Sequence, residues 1–262
     1  MHVAGLHVHP LKSGGIVDLA EAQVTTLGLD GDRWLMVVDA AGHFVTQRGH
    51  PRLALVRVEV GPLLRFTAPG MPALAVGARA STPLSVEVWG DWVGAVTLDP
   101  SLDVWISEYL DDDLRVVRLA DHASRVADQR YAGPDDRVGF ADGFAILLAG
   151  TASLADLNSR LTTPVAMSRF RPNIVVATNE PWAEDRWRRV RVGDVELAIV
   201  KPCGRCVIVN VEQDTARQGK EPLRTLSTFR QEAHRVVFGQ NAVPRGVGAI
   251  RLGDPVEVLE RS

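Results

Sequence analysis

Apolar and polar positions in the first third of the chain follow the period of strands. Val3, Leu6 and Val8 alternate loosely with their neighbours, 34-WLMVVD-39 reads as a buried strand, and 53-LALVRVEV-60 reads as another. Asp39-Ala40-Ala41-Gly42-His43 forms a hairpin turn into Phe44-Val45. Further β-type runs lie at 63-LLRFTA-68, 84-LSVEVW-89 and 92-WVGAVTL-98, punctuated by Pro and Gly, with Trp89, Trp92 and Trp105 expected in the core. The spacing of Trp105, Ile106, Tyr109 and Leu110 predicts a short amphipathic helix from Asp103 to Leu110, and Arg115 to Leu119 returns to strand.

Residues 120–139 are polar, with Gly133-Pro134 and the charged run Asp135-Asp136-Arg137, and read as a loop or a seam between domains. From 140 the pattern changes. Phe144 to Leu148 is a strand, and Gly150-Thr151-Ala152-Ser153 opens a helix over about Ser153 to Arg160, with Thr151 or Ser153 as its cap. Residues 189–200 predict a β-hairpin around Gly193-Asp194, Val207 to Val211 a β-type run, Pro222 to Phe229 the start of a helix, and 248–260 a last strand pair around Gly253-Asp254-Pro255. The expected class is mainly β with a few helices (α+β), divided into residues 1–120 and 121–262.

Composition narrows the partners. At 262 residues and 46% hydrophobic the chain can bury a sizeable core. A formal charge of −3 gives no global field for nucleic acid or an anionic membrane, and no apolar run approaches the roughly 20 residues of a membrane span. Two cysteines three apart make no disulfide framework and no secretory leader is evident, so a reducing, cytoplasmic setting is expected.

Those two cysteines, Cys203 and Cys206, are the candidate chemistry. They stand in 201-KPCGRC-206, where Lys201 and Arg205 bring positive charge that favours a thiolate, and Pro202 and Gly204 favour a tight turn. A thioredoxin-like redox pair would sit at the start of a helix, whereas a Val/Ile run follows here. Zinc needs about four ligands, and neither a second cysteine pair nor a nearby histidine pair exists. A single thiolate ligand to a softer, redox-active metal completed by a cofactor remains open, as does a pair of buried, inert cysteines.

The order of segments resembles the MOSC family, the molybdenum-cofactor domain proteins that include the amidoxime-reducing components. The resemblance is carried by HPLKSGG at 9–15, LDGDRWLMVVDAAGHFVTQRGHPRLALV at 29–56 and FADGFAILLAGTASLADLNSRL at 140–161. It continues through RFRPNIVV at 169–176, PWAEDRWRRVRVGDVELAIVKPCGRC at 181–206 and EPLRTLSTFRQ at 221–231. It covers nearly the whole chain and implies an N-terminal β-barrel-like domain followed by a distorted MOSC β-barrel.

The resemblance also implies a molybdenum cofactor (Mo-molybdopterin), with Cys206 as the protein thiolate on the metal and the catalytic residue. Cys203 is then a neighbouring or spare thiol, beside Arg205. Arg171, in Phe-Arg-Pro-Asn, is the expected ligand of the cofactor phosphate. Lys12, Ser13 and Arg33 reach over the pterin, where a planar anion calls for Lys and the flat Arg fork. Read without the resemblance, Lys12 is a solvated turn lysine and Arg33 a surface partner of Asp30 or Asp32. Thr151, at a strand-to-helix corner whose free N–H groups suit anions, joins the expected set. Asn173 either contributes to the pocket or fixes a turn.

The implied activity is reduction of small N-hydroxylated substrates such as amidoximes, hydroxylamines and N-hydroxylated bases. No cysteine follows Cys206 to hold an iron–sulfur cluster and no Gly-x-Gly-x-x-Gly run follows a strand, so electrons are expected from a separate ferredoxin- or flavin-type reductase. The loop at Asp135-Asp136-Arg137 is a candidate docking edge. The alternative is a sulfur or cofactor carrier that uses the same cysteine without turnover. Pyridoxal phosphate binding and detoxification also attach to the family. One departure stands out: Ala216 occupies a position after Asp214-Thr215 where the family commonly has glycine.

Overall fold

In the computed structural model, which describes residues 1–79 and 82–262, the first strand alternates as its sequence does. Strand β1 (His2–Val8) buries Val3, Leu6 and Val8, and short strands β2 (Val17–Asp18), β3 (Glu21–Thr25) and β4 (Gly28–Leu29) follow. Strand β5 (Leu35–Asp39) is buried along four residues. The run 53–60 is not one strand. Pro51 fixes the backbone at the start of a 3₁₀ turn, Pro51–Leu55, which buries Leu53 and Ala54, and only β6 (Arg57–Val60) is extended.

Strands β7 (Leu64–Thr67) and β8 (Leu74–Val76) complete a three-stranded meander with β6. A hairpin of β9 (Pro83–Val88) and β10 (Asp91–Thr97) leads to helix α1 (Pro100–Leu110), which starts three residues before the expected Asp103. Asp99 caps it, accepting from Ser101 N–H, and Pro100 fits the first turn, where no N–H is needed. Strand β11 (Leu114–Leu119) closes a sheet of order β5-β11-β10-β9. Leu53, Phe66, Ile106 and Tyr109 pack beneath it with Trp105. Trp89 and Trp92, expected in the core, are instead 50% and 60% exposed around the β9–β10 turn.

The polar segment after β11 is held by one short pair, β12 (Arg125–Val126) with β13 (Arg137–Val138). Strand β14 (Ile146–Gly150), helix α2 (Thr151–Ser159) and strand β15 (Ile174–Ala177) form a parallel crossover unit. Next come β16 (Trp187–Val192) and β17 (Val195–Gly204), the predicted hairpin around Gly193. The short helix α3 (Leu223–Leu226) and strands β18 (Gln231–Glu232), β19 (Arg235–Pro244), β20 (Gly248–Arg251) and β21 (Val256–Arg261) end the chain. The expected β run at Val207–Val211 is a 3₁₀ turn, Val207–Asn210, because β17 already ends at Gly204.

The main sheet runs β2-β1-β15-β14-β19-β17-β16-β21 and curls into a half-barrel over Trp187, Val190, Leu197 and Ile250. Its first strand therefore comes from the opposite end of the chain: β1 pairs with β15, His2 opposite Ala177. Strand β3 likewise pairs with β20. Residues 1–29 thus lie in the sheets of the second half, which brings the Lys12 segment to the cysteine-bearing end of β17.

Candidate cofactor site

The site is built where the turn after β1, the turn before β5, the Phe140–Phe144 loop, the start of β15 and the end of β17 converge. A cavity of about 140 Å³ there is lined by Lys12, Ser13, Arg33, Arg171, Asn173, Cys203, Arg205 and Cys206, together with Arg48 and Asp142. Eight of the nine residues expected from the sequence thus come together.

Thr151 does not. It faces Thr178, donating to its carbonyl oxygen at 3.4 Å and accepting from its N–H at 3.1 Å. At the helix start it occupies, Thr178 Oγ1 accepts from Ala152 N–H, and the buried carboxyl of Glu184 accepts from Gly150 N–H and Ser153 Oγ. Burial pushes the Glu184 pKa up against those bonds. Neither Thr151 nor Ser153 is the cap of α2; that position is Gly150, without a side-chain bond.

Lys12 is buried rather than solvated. Its ammonium donates to Phe140 O at 2.7 Å and pairs with Asp142 at 2.5 Å. Burial lowers the Lys12 pKa and the Asp142 charge works against that. Burial pushes the Asp142 pKa up, but the Lys12 ammonium and the Trp89 indole N–H together outweigh it and keep the carboxyl below the ordinary carboxylate range. Arg125 clamps the loop behind, donating to Gly139 O, Ala141 O and Asp142 O.

Arg33 forms the expected ion pair with Asp32, but it is mostly buried and reaches across to the start of β15. It donates to Asn173 Oδ1 at 3.4 Å and to Arg171 O at 3.2 Å. Asp32 also accepts from His9 N–H at 2.7 Å, and the Arg33 and His9 contacts, outweighing burial, hold its carboxyl far below the usual range. Asn173 registers strands, accepting from Leu147 N–H and donating to His7 O. It both lines the cavity and fixes the local backbone.

Arg171 donates through Nη1 to Gly14 O at 2.6 Å and to Gln213 Oε1 at 3.1 Å, while its buried Nη2 has no partner. Burial and the neighbouring Arg33 charge push its pKa down to about 9. An unpaired buried guanidinium nitrogen costs on the order of 1–3 kcal/mol or more, a debit that an anionic ligand removes. Ser13, Arg33 and Arg171 all hold left-handed backbone, at φ 64°, 49° and 53°. Three such non-glycine residues in one cavity wall are the kind of local strain that surrounding contacts sustain at binding sites.

Both thiols are free and half-buried. Arg205 donates to Cys203 Sγ at 2.9 Å and to Phe170 O at 2.9 Å. Cys206 Sγ accepts from Arg48 Nη2 at 3.3 Å, and the Arg48 guanidinium lies over the Trp89 ring, 5.0 Å from its centroid. Lys201 lies over Tyr131 at 4.2 Å instead of beside the thiols. Arg48, Asp142 and Trp89 were not anticipated. Arg48 lies in the 29–56 segment and Asp142 in the 140–161 segment, but their contacts span 158 and 130 residues of chain.

No group of three or more His, Cys, Asp or Glu among the described residues gathers as a metal site, so a metal here requires ligands from a cofactor. The donor set fits a molybdenum pterin: soft sulfur on one wall, and on the other Lys12, Arg33 and Arg171 for a planar anion. A larger groove, about 960 Å³, lies between 160–169 and 210–228 and contains neither cysteine. Its Arg160, Arg217 and Arg224 already face Asp156, Glu212 and Glu221.

Two family models and a set of known proteins match the chain. The model of the MOSC N-terminal beta barrel domain matches residues 1–113 and that of the MOSC domain matches residues 135–257. Mitochondrial amidoxime-reducing component 1 of Homo sapiens is 34% identical, across 98% of this chain and 82% of that one. The Danio rerio protein of the same name is also 34% identical, across 97% and 83%. The Molybdenum cofactor sulfurase of Oryza sativa subsp. japonica is 28% identical, across 91% of this chain and 32% of its own length. No helix among the described residues is long and apolar enough to cross a membrane. Nothing in the cavity or in these names bears on pyridoxal phosphate or detoxification.

Proposed function

The chain belongs to the MOSC family, with an N-terminal MOSC β-barrel ahead of the MOSC domain, and from that premise we propose that it is a molybdenum-cofactor-dependent reductase of N-hydroxylated compounds. The observation that carries the reading is the cavity itself, which two free cysteines line together with Lys12, Arg33 and the buried Arg171. Cys206 would hold the metal, and Arg171, Lys12, Ser13 and Arg33 the pterin and its phosphate. When bound, the cofactor supplies the two electrons that break an N–O bond.

The residues around it set the remaining terms. The Arg48 contact keeps Cys206 oriented. No histidine lines the cavity among the described residues, and its carboxylate, Asp142, is held ionised by Lys12. Protons for the departing oxygen therefore come from water. Two free thiols suit a reducing compartment, for which we propose the cytoplasm. Electrons come from a separate ferredoxin- or flavin-type donor, a role consistent with relatives named as components.

The test uses protein from a host that makes the cofactor, with molybdenum measured by elemental analysis. Benzamidoxime or hydroxylamine is supplied with NADH or NADPH, with and without an added reductase. Turnover is expected only with the reductase, and turnover on nicotinamide alone would refute the separate donor. Molybdenum-loaded protein that reduces neither substrate with an artificial donor would favour the carrier reading instead.

A further inference from the structure

Between the two domains lies a closed pair of amides that neither the chemistry nor the core requires. Gln47 is fully buried and Gln213 is 9% exposed. Each donates Nε2 to the other's Oε1, at 3.2 and 3.1 Å. The second donor of Gln47 goes to Ser13 O at 2.8 Å, and that of Gln213 to Val211 O at 3.0 Å. Gln213 Oε1 has one more lone pair, and Arg171 Nη1 donates to it at 3.1 Å. The orientation of the pair is forced, since turning Gln213 over would set its NH₂ against the guanidinium N–H and leave two donors face to face.

We propose that Gln47 and Gln213 are positioning residues for Arg171, holding its guanidinium by a neutral acceptor so that its charge stays available to an anionic ligand in the cavity. The inference rests on the cofactor reading above. A carboxylate in place of Gln213 would hold the guanidinium but cancel its charge and face Val211 O with a second acceptor, and a carboxylate in place of Gln47 would face Ser13 O in the same way. The amides locate the charge without neutralising it. Because Gln47 comes from the N-terminal domain and Gln213 from the turn after Asn210, seating one domain on the other also sets where Arg171 stands.

The experiment compares Arg171→Ala, Gln47→Leu, Gln213→Leu and Gln213→Glu, each made in a cofactor-producing host and in one that lacks the cofactor. Phosphate-bearing pterin per protein after gel filtration is read by fluorescence of the oxidised pterin, and the melting temperature is read on the cofactor-free protein. The two leucine variants should retain on the order of tenfold less pterin, the effect of weakening one charge-assisted contact, while melting within a few degrees of wild type. Gln213→Glu is the decisive variant: it should lose pterin as far as Arg171→Ala does and further than Gln213→Leu, with a cooperative melt of the cofactor-free protein showing that it still folds. Wild-type pterin content in Gln213→Glu, or in both leucine variants, overturns the positioning role while leaving the cofactor reading intact. Wild-type content in Arg171→Ala overturns the positioning role together with the assignment of Arg171 to the cofactor phosphate, and absence of pterin from the wild-type protein overturns the cofactor reading itself.

Discussion

His9 gives the fold a pH dependence that follows from its surroundings. The ring is wholly buried, Nδ1 stands 3.4 Å from Asp32 Oδ1, and neither ring nitrogen makes a hydrogen bond. Burial, then the charges of Arg171 and Arg33, hold its pKa well below the ordinary value, outweighing Asp32. As the pH falls the unfolded chain therefore binds a proton before the folded one does. Stability present above about pH 6.5 is lost on the acid side of it. Between pH 7.5 and 5.5 one such group removes about 1.4 kcal/mol, which for a chain of this size lowers the melting temperature by roughly 3–6 °C. His9→Gln abolishes this titration and leaves the other six histidines in place. Thermal unfolding of cofactor-free protein across that window should show a shallower fall for His9→Gln than for wild type. Parallel falls would refute the argument and mean that a water or a local opening solvates the ring.

Two further substitutions separate roles that the sequence leaves together. Cys206→Ser should lose molybdenum and reductase activity with its melting temperature nearly unchanged, whereas Cys203→Ser should keep most of both, as read by elemental analysis and benzamidoxime turnover. Ala216 adopts φ 59°, so Ala216→Gly should stabilise. Relief of the left-handed strain exceeds the extra chain entropy of glycine by about 0.5–1 kcal/mol, measurable as a higher urea midpoint.

Periodicity made the β9–β10 and β16–β17 hairpins and the α1 face legible, because each depends on neighbours close in sequence. It misled at 53–55 and 207–210, where apolar runs as short as a single turn look alike whether extended or 3₁₀. Ala216 shows both sides. The absence of glycine was visible, and the backbone turns left-handed there all the same, with Ala216 N–H bonded to Glu212 O. The site was legible wherever a motif carried it, as at Lys12, Arg33, Arg171 and Cys206. The sequence does not show that Glu184 and Thr178 occupy the N–H groups of α2, because those partners arrive from 26 to 34 residues away. Arg48 was hidden for the same reason at longer range.

The placement of β1 in the main sheet has a consequence for biosynthesis. Its neighbour β15 is encoded about 170 residues downstream, so at roughly 5–20 residues per second the strand leaves the ribosome some 10–30 s before the edge it will join exists. Through that interval β1 has only two-residue β2 beside it, and its other flank offers unpaired N–H and C=O groups to any passing chain. Strand β1 is thus made long before its neighbour β15, and β3, which pairs with β20, waits longer still. Translation speed and chaperone occupancy over these strands therefore bear on yield more directly than the stability of the finished barrel does.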